Sequence, residues 1–309
     1  MKHEIGFIGL GRMGGNMVQR MLDNGSIHCV IWNRTQEKMD PFIAQGAKGV
    51  KTIPEVVSAL TQRPKIVWLM LPSGKPTEDA FTQVCDLLEK DDIVIDGANS
   101  NFHDTLRRHE YAKQKGLRML DIGVSGGIVA ANTGYPMMIG GEAETYAVVK
   151  PILESFGYQN GFALVGPGGS GHYVKMIHNA IEYGMMQAIS EGFDLLQNGR
   201  FKDLDLQKIA QVYNNGCVVD GFLMKMTEQA LQKDPKLGYL KPYVDDSGEG
   251  RWSAIEAMEH GVPFVVNTYA LHARYISRDD DSFAFKMLAA QRNEFGGHAI
   301  KQTGSTDEN

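Results

Sequence analysis

The sequence predicts an α/β protein in which a parallel sheet is followed by an all-helical part. In the first half, short apolar runs alternate with amphipathic stretches, which is the pattern of strands joined by crossover helices. A glycine-rich break over residues 166–171 ends this alternation, and the segments after it have helical periodicity. The loop Gly9–Gly14 follows the first strand with the spacing G-x-G-x-x-G, which is typical of a doubly wound sheet of the Rossmann type.

These patterns predict the elements in chain order. The first strand, Glu4–Gly9, is followed by a helix over Gly14–Asn24 that ends at Gly25. Further apolar runs predict strands at His28–Trp32, Lys65–Leu71, Asp92–Asp96, Arg118–Ile122, Met137–Ile139 and Phe162–Val165. Helices are predicted over residues 171–198, 203–215, 218–232, 251–276 and 280–296. We therefore predict a dinucleotide-binding domain over 1–166, a helical domain over 167–300 and a disordered polar tail over 301–309.

Composition and charge exclude several classes of protein. The chain is 43% hydrophobic and 22% charged, as soluble globular proteins are, and its net charge of −6 offers no basic field for nucleic acid or a membrane surface. No apolar run reaches the length of a membrane span, and no signal peptide precedes the first strand. The three cysteines, Cys29, Cys85 and Cys217, are scattered, which indicates a reducing cytoplasm rather than a disulfide framework or a zinc site.

The glycine loop is a candidate cofactor site. Its glycines permit a tight turn and a close approach of the backbone, and the helix that it opens offers N–H donors and a positive dipole end to a pyrophosphate. The predicted cofactor-binding residues in this loop are Gly9, Leu10, Gly11, Arg12, Met13 and Gly14. The strand end Met70–Ser73 should border the same crevice, with backbone contacts at Leu71. A purely structural turn is the alternative interpretation of the loop.

The end of the second strand bears on the choice of cofactor. Asn33, Arg34 and Thr35 stand where NAD-preferring sites usually carry an acidic residue for the ribose hydroxyl. Arg34 is placed to bind a 2′-phosphate and to stack on adenine, with Lys38 one helical turn further on. These residues favour NADP over NAD, and a solvated loop arginine is the alternative interpretation of Arg34.

A polar stripe marks the first long helix of the C-terminal half. Five polar residues stand at positions 0, 3, 4, 7 and 8 counted from Lys175. This spacing places them on one face of a helix: Lys175, His178, Asn179, Glu182 and Tyr183. The other faces are apolar, so we expect the helix to be buried. Because buried lysine and glutamate are costly unless they are paired or used, the stripe indicates an active site. A structural ion pair between Lys175 and Glu182 is the alternative.

Several motifs together resemble one family over residues 3–300. Asp96–Ser100 is similar to its Asp-Gly-Gly-Asn-Ser strand end, with Ala98 in place of a glycine, and Val124–Gly127 is similar to its substrate loop. Further similar segments are Gly9–Asn16, Gly171–Gly184, Ala273-Arg274 and Gln291–His298. The chain thus resembles a short form of the decarboxylating 6-phosphogluconate dehydrogenases, within the β-hydroxyacid dehydrogenase group. The loop Asp246–Trp252 is shorter than in longer members and lacks their lysine, whose charge Arg251 is a candidate to replace.

The resemblance implies a phosphorylated substrate. Related β-hydroxyacid dehydrogenases typically have Asn-Asn after the catalytic lysine, whereas this chain has His178-Asn179, followed by Glu182-Tyr183. Positive charge for a phosphate group is supplied by Arg274, Arg292 and His298.

The resemblance also implies a reaction and a role for each residue. The family oxidises and decarboxylates 6-phospho-D-gluconate to D-ribulose 5-phosphate in the pentose phosphate pathway, without a metal. Lys175 is implied as the base for the carbon-3 hydroxyl, and Glu182 as the acid that protonates carbon 1. The implied substrate-orienting residues are Asn99, Ser125, Gly126, Gly127, His178 and Asn179, of which Asn99 also borders the cofactor. In an implied homodimer or homotetramer, the phosphate is held by Tyr183, Arg274 and the partner subunit's Arg292, and the site is closed by the partner subunit's His298.

Two other functions remain open. A dehydrogenase of an unphosphorylated 3-hydroxy acid would not need Arg274 and Arg292. A non-catalytic NADP-binding sensor should have lost its base or its acid, whereas both Lys175 and Glu182 are present.

Overall fold

The structure of the chain, a computed structural model, describes residues 2–296, with side chains up to residue 294. These residues form two compact units, one that ends at Ile181 and one that begins at Glu182. His298 and the predicted tail over 301–309 lie outside the described residues. The domain limits predicted above stay predictions.

The first unit contains an eight-stranded sheet. Its strands are β1 (His3–Ile8), β2 (Ile27–Trp32), β3 (Lys48–Gly49), β4 (Ile66–Leu69), β5 (Ile93–Asp96), β6 (Arg118–Val124), β7 (Tyr135–Gly141) and β8 (Gly157–Gly166). Their order across the sheet is β3-β2-β1-β4-β5-β6-β7-β8. The first six strands in this order follow the 3-2-1-4-5-6 arrangement of a doubly wound dinucleotide-binding sheet, so the predicted fold class is confirmed.

The sheet differs from the prediction at two places. β7 runs antiparallel to β6, whereas the other neighbouring strands are parallel. The segment between Val124 and Tyr135 is too short for a parallel crossover, which needs about a dozen residues or more, so the chain turns back. β3 was not predicted, because its two residues, Lys48 and Gly49, leave no apolar run.

Helices cover both faces of this sheet. In the first unit they are α1 (Arg12–Asn24), α2 (Asp40–Ile43), α3 (Ile53–Ala59), α4 (Lys75–Leu87), α5 (Phe102–Gln114), α6 (Ala130–Thr133) and α7 (Ala143–Phe156), with a 3-10 turn at Gln36–Met39. One buried cluster joins α1 and α7 to the sheet, and a second joins α3 and α4 to its other face. Phe7 of β1 enters the first cluster and Ile8 the second, as the alternation of a strand buried on both faces requires.

The C-terminal part of the chain is helical, as predicted. Its helices are α8 (Ser170–Asn198), α9 (Leu206–Tyr213), α10 (Phe222–Lys233), α11 (Glu249–Glu259), α12 (Val265–Ile276) and α13 (Phe283–Gly296). The prediction of one helix over 251–276 is wrong, because Gly261 has a φ of +63° and Pro263 cannot donate a helical hydrogen bond. Among the described residues, no helix combines the length and the apolar character that a membrane crossing needs.

The burial of α8 also differs from the prediction. Lys175 and Ala180 are buried, but Val174, Ile181 and Met185 are exposed. No described residue covers these three apolar side chains. The prediction that the apolar faces of α8 are buried is therefore wrong at these positions in the single chain.

Candidate active site

The glycine loop between β1 and α1 is a tight turn with an open outer side. A Cβ atom at Gly9 would lie 2.3 Å from the Met70 carbonyl oxygen, and one at Gly14 would lie 2.2 Å from the Gly9 oxygen. Gly9 has a φ of +105°, which side chains disfavour. At Gly11 no described heavy atom lies within 4 Å of the Cβ position, and no described side chain caps α1 there. The first N–H groups of α1 and the open approach at Gly11 therefore fit a pyrophosphate.

Asn33 ties this loop to the end of β2. Its Oδ1 accepts a hydrogen bond from the Leu10 N–H at 2.9 Å, and its Nδ2 donates to the Thr35 carbonyl oxygen at 2.8 Å. On the β4 side, the Leu71 side chain lies 2.9 Å from the Cβ position of Gly9. The predicted loop residues thus meet at the carboxyl ends of β1, β2 and β4, where a doubly wound sheet changes direction and binds its ligand.

The charged side chains of Arg12, Arg34 and Lys38 make no hydrogen bond or ion pair with the described residues. Arg12, Arg34, Thr35 and Lys38 are exposed, and Met13 is half-buried. Within the described residues, Arg34 makes no hydrogen bond or ion pair through its side chain, so its charge is available to a ligand.

A buried arginine holds the loop that carries Asn99. Asn99 follows β5 and is exposed. Arg108, 1% exposed, donates through Nη1 to Asp96 at 2.7 Å and to the Ser100 hydroxyl at 3.0 Å, and it pairs with Glu78 at 2.9 Å. Burial alone lowers the pKa of Arg108, but the two carboxylates raise it above its ordinary value. Arg108 is therefore a fixed cation that holds both ends of the Asn99 loop.

The predicted base is buried and hydrogen-bonded along its own helix. Lys175 is 7% exposed, and its Nζ donates to the Asn179 Oδ1 at 2.8 Å. The His178 Nδ1 lies 3.5 Å from the same Nζ and 3.0 Å from the Asn179 Oδ1. The structure thus brings together Lys175, His178 and Asn179, as the spacing of the stripe predicted.

Glycines of β6 and α8 allow the lysine to approach the sheet. A Cβ atom at Gly123 would lie 2.3 Å from the Lys175 Cβ, and one at Gly171 would lie 2.3 Å from the Asp121 carbonyl oxygen. The predicted substrate loop continues directly from β6: the Ser125 N–H donates to the Pro136 oxygen at 2.9 Å. Gly126 and Gly127 have φ values of +93° and +53°, so this loop needs glycine at both positions. Ser125 and Gly126 are half-buried, and Gly127 is exposed.

A second cluster, in the C-terminal unit, forms around Tyr183. The Tyr183 hydroxyl donates to Asp246 at 3.3 Å, lies 3.1 Å from the Ser247 hydroxyl and accepts from the Ser247 N–H at 3.2 Å. The Arg274 guanidinium stacks 3.4 Å over the Tyr183 ring and donates to the Asp245 oxygen at 2.9 Å. Burial raises the pKa of Tyr183 above its ordinary value, although the Ser247 hydrogen bonds and Arg274 lower it in part. Tyr183 therefore remains a phenol at neutral pH.

Other predicted residues have fewer contacts. Glu182 is half-buried, and Arg292 is exposed on α13. The Arg251 Nε lies 3.8 Å from Asp246, so its charge faces the Tyr183 cluster. Among the described residues, no group of three or more His, Cys, Asp or Glu side chains is placed to hold a metal ion.

Asp121 and Arg108 also organise the predicted site, although neither was predicted as a site residue. Asp121 is 0% exposed, and it stands between apolar neighbours in β6. A charged residue in the middle of an apolar strand is the signal that could have identified it, since buried carboxylates need partners. Arg108 lies in an amphipathic helix, where an arginine carries no such signal.

The fold and the site define the class: a dehydrogenase that depends on a nicotinamide dinucleotide. The sequence profile described as the NAD binding domain of 6-phosphogluconate dehydrogenase matches residues 4–166. The profile described as the 6-phosphogluconate dehydrogenase C-terminal domain matches residues 171–284. The chain belongs to the 6-phosphogluconate dehydrogenase family, and the resemblance inferred from its motifs is confirmed.

Individual relatives agree with this assignment. YqeC of Bacillus subtilis, a 6-phosphogluconate dehydrogenase by name, is 41% identical over 300 residues, which cover 97% of this chain and 99% of that protein. The NAD(+)-dependent, decarboxylating enzyme of Haloferax volcanii is 36% identical, over 96% of this chain and 98% of the relative. The solved 6-phosphogluconate dehydrogenase of Plasmodium falciparum, studied with NADP+ and with 6-phosphogluconate, has a TM-score of 0.81 at 31% identity. That match covers 98% of this chain and 67% of the Plasmodium chain.

Proposed function

We propose that this chain catalyses the oxidative decarboxylation of 6-phospho-D-gluconate to D-ribulose 5-phosphate and carbon dioxide, with reduction of NADP or NAD. The observation that carries the proposal is the buried Lys175, hydrogen-bonded to Asn179 on a helix that the family profile includes. The Haloferax volcanii relative, 98% of which is matched by this chain, is named as a decarboxylating 6-phosphogluconate dehydrogenase.

The residues around the glycine loop fit a nicotinamide dinucleotide. Gly11 leaves room for a pyrophosphate, and exposed Arg12 and Arg34 offer positive charge beside it. When bound, the cofactor accepts the hydride from carbon 3 of the substrate. Asn99, Leu71 and the glycine loop would hold it.

Lys175 carries the first proton transfer of the proposed reaction. Neutral Lys175 takes the proton of the carbon-3 hydroxyl as that carbon is oxidised to a ketone. The ammonium group so formed donates a hydrogen bond to the ketone oxygen and withdraws electrons from the bond to be broken. Asn179 and His178 hold the amine in place in both protonation states, since the Asn179 amide does not titrate.

Decarboxylation and a second proton transfer complete the sequence. The bond between carbons 1 and 2 breaks and carbon dioxide leaves. The electron pair of that bond forms a double bond between carbons 2 and 3 as the Lys175 ammonium returns its proton to the carbon-3 oxygen, which gives an enediol. Glu182 then delivers a proton to the former carbon 2, which becomes carbon 1 of ribulose 5-phosphate, while Lys175 takes back the proton of the carbon-3 hydroxyl and the ketone forms again. Ser125, Gly126, Gly127 and Asn99 would orient the substrate's hydroxyl and carboxylate groups.

The Tyr183 cluster is proposed to receive the phosphate group. Tyr183 is a neutral donor, and Arg274 presents a planar guanidinium of the kind that binds phosphate through two hydrogen bonds. Arg251 adds charge on the same side of Asp246. In a homodimer or homotetramer, Arg292 of the partner subunit would complete this site and His298 of the partner subunit would close it.

We propose a cytoplasmic location. Burial raises the pKa of the Cys29 and Cys85 thiols to about 12, so both stay protonated at neutral pH. All three cysteines are free, which suits a compartment where thiols remain reduced.

The substitution Lys175→Met tests the proposed function. It keeps the length of the side chain but removes the amine, so reduction of NADP or NAD with 6-phosphogluconate should fall by about four orders of magnitude or more. Cofactor binding, measured by fluorescence titration, should stay within twofold of the unsubstituted protein. Turnover near the unsubstituted rate would refute Lys175 as the base. Turnover of unphosphorylated 3-hydroxy acids in preference to 6-phosphogluconate would favour the alternative dehydrogenase.

A further inference from the structure

Asp121 is a buried carboxylate that the proposed chemistry does not use. It lies on β6, is 0% exposed and has three hydrogen-bond partners. Its Oδ1 accepts from the Gly169 N–H at 2.7 Å and meets the His109 Nε2 at 2.8 Å, and its Oδ2 accepts from the His172 N–H at 2.9 Å. A buried charge is costly, and donors of this number and shortness are what offset that cost.

Two of these donors belong to the start of the helix that carries Lys175. The first N–H groups of a helix have no partner within it, and they form its positive dipole end. Asp121 satisfies the N–H groups of Gly169 and His172 with a negative charge. Burial by itself raises the pKa of Asp121, but the His109 hydrogen bond and the two nearby histidines lower it below its ordinary value. Asp121 is therefore ionised at neutral pH.

β6 and α8 lie side by side and are in contact at two places. They touch first where Gly171 meets the backbone of Asp121 and again where Lys175 meets Gly123. Two residues along a strand advance about 6.7 Å, and four residues along a helix advance about 6 Å. The second contact therefore lies where the first directs it, and the attachment at Asp121 sets the position of Lys175 along β6.

We propose that Asp121 is a positioning residue for Lys175: it attaches the first turn of α8 to β6 and thereby places the amine. His109 of α5 completes the attachment through the Asp121 Oδ1. A second link joins α5 to the same turn, because the His172 Nδ1 and the Thr105 hydroxyl are 2.7 Å apart. The inference rests on the proposed role of Lys175 as the base, and Asp121 acts on it only through the helix.

The substitution Asp121→Asn tests this positioning. Asparagine has the same size, but its NH₂ group must face one of the three donors, so at least one hydrogen bond is lost. We expect the first turn of α8 to shift relative to β6. A misplacement of about 1 Å costs roughly 100-fold in rate, and we expect kcat with 6-phosphogluconate to fall by about 10- to 100-fold. The KM for NADP should change less than twofold, because the glycine loop lies on other strands.

Asp92→Asn is the matched control. Asp92 is 1% exposed in the same unit and also accepts from backbone groups, Lys65 N–H at 2.8 Å and Glu89 N–H at 3.0 Å. It lies before β5 and bonds to no residue of α8. Its substitution should lower Tm as Asp121→Asn does while kcat is retained.

His109 provides a second pair of variants in case Asp121→Asn does not fold. His109→Phe removes the donor to Asp121 from a side chain that is 19% exposed, and should lower kcat several-fold. His109→Gln restores a donor and should recover most of that loss. Amide hydrogen exchange over residues 172–176, which needs no substrate, should be faster in Asp121→Asn and in His109→Phe.

The outcomes separate the two proposals. A protein that does not oxidise 6-phosphogluconate before any substitution refutes the proposed function. An active protein whose kcat and exchange are unchanged by both Asp121→Asn and His109→Phe refutes the positioning role alone. An equal loss of kcat in Asp92→Asn would reduce Asp121 to a general contributor to stability and also refute it.

Discussion

Lys175 is buried, yet its amine has an acceptor one turn away on its own helix, the Asn179 Oδ1 at 2.8 Å. The His178 Nδ1 lies 3.5 Å from the same amine and 3.0 Å from the Asn179 Oδ1. This geometry follows from sequence spacing alone, since residues three and four apart share a helix face. The amine is therefore held by its own helix, and the place of the helix decides where the amine stands.

Arg274→Ala tests the phosphate assignment at the residue scale. The substitution removes the guanidinium that stacks 3.4 Å over Tyr183. Hydrogen bonds to charged groups contribute about 1.5–3 kcal/mol each, so the KM for 6-phosphogluconate should rise by about 10- to 100-fold. Arg278→Ala is the matched control, because Arg278 also lies over a tyrosine ring, that of Tyr275, at 5.0 Å. Steady-state kinetics showing an unchanged KM in Arg274→Ala would remove the phosphate assignment.

A second prediction at the scale of single residues concerns Arg34 and the choice of cofactor. We propose that NADP is preferred, because exposed Arg34 stands where an acidic residue would select NAD. Arg34→Ala should lower kcat/KM for NADP by about 10-fold or more and leave the value for NAD nearly unchanged. Arg12→Ala, at the pyrophosphate end that both cofactors share, should lower both values. A preference of the unsubstituted protein for NAD, measured at saturating 6-phosphogluconate, would contradict the proposal.

At the scale of elements, the contact between β6 and α8 depends on the absence of side chains. Gly123, Gly140 and Gly171 all lie where a Cβ atom would be 2.6 Å or less from a neighbouring atom. Strand and helix thus approach more closely than side chains would permit, and Lys175 lies directly against the sheet. The site therefore depends on three glycines that take no part in the chemistry.

Gly123→Ala should separate these elements. The added methyl group would lie 2.3 Å from the Lys175 Cβ, so α8 must shift, and kcat should fall by about 10- to 100-fold as Tm falls. Gly192→Ala is a control within the same helix, because no described atom lies within 4 Å of its Cβ position. That substitution should raise stability by about 0.5–1 kcal/mol and leave kcat unchanged. Normal kcat and Tm in Gly123→Ala would show that the packing is less strict than the distances indicate.

The elements also show which parts of the fold and the site the sequence could predict. The glycine loop and the polar stripe are local patterns, so the tight turn at Gly9 and the contact of Lys175 with Asn179 followed from spacing. The link from Asp121 to the first turn of α8 joins residues 48 and 51 positions apart, and no local pattern encodes it. The break between α11 and α12 was missed, although Gly261 and Pro263 are local signals of it.

At the scale of the whole molecule, the second unit presents apolar side chains that a single chain leaves open. They include Tyr269 at 73% exposure and Val265 at 61% on α12, and Phe283 at 73% on α13. Met185 on the open flank of α8 is 53% exposed. Exposed apolar groups of this size and number are typical of a surface that another subunit covers. We therefore propose a homodimer or a larger even assembly, which sedimentation should detect.

Complementation between two inactive variants tests whether the subunits share their sites. If Arg292 acts in the partner's site, Lys175→Met and Arg292→Ala each damage every site of their own homodimer. A hybrid dimer has one site with both residues intact, so equal co-expression should restore about a quarter of the unsubstituted activity, because half of the dimers are hybrid and one of their two sites works. Activity no higher than the mean of the two variants would mean that Arg292 serves its own chain or none. In the control pair Lys175→Met and Asn179→Ala, both residues belong to the same helix, where Lys175 bonds Asn179, so every site of a hybrid lacks one of them. Co-expression of this pair should therefore give no more than the mean activity of the two variants. Equal recovery in the control pair and in the Arg292 pair would refute the partner role of Arg292.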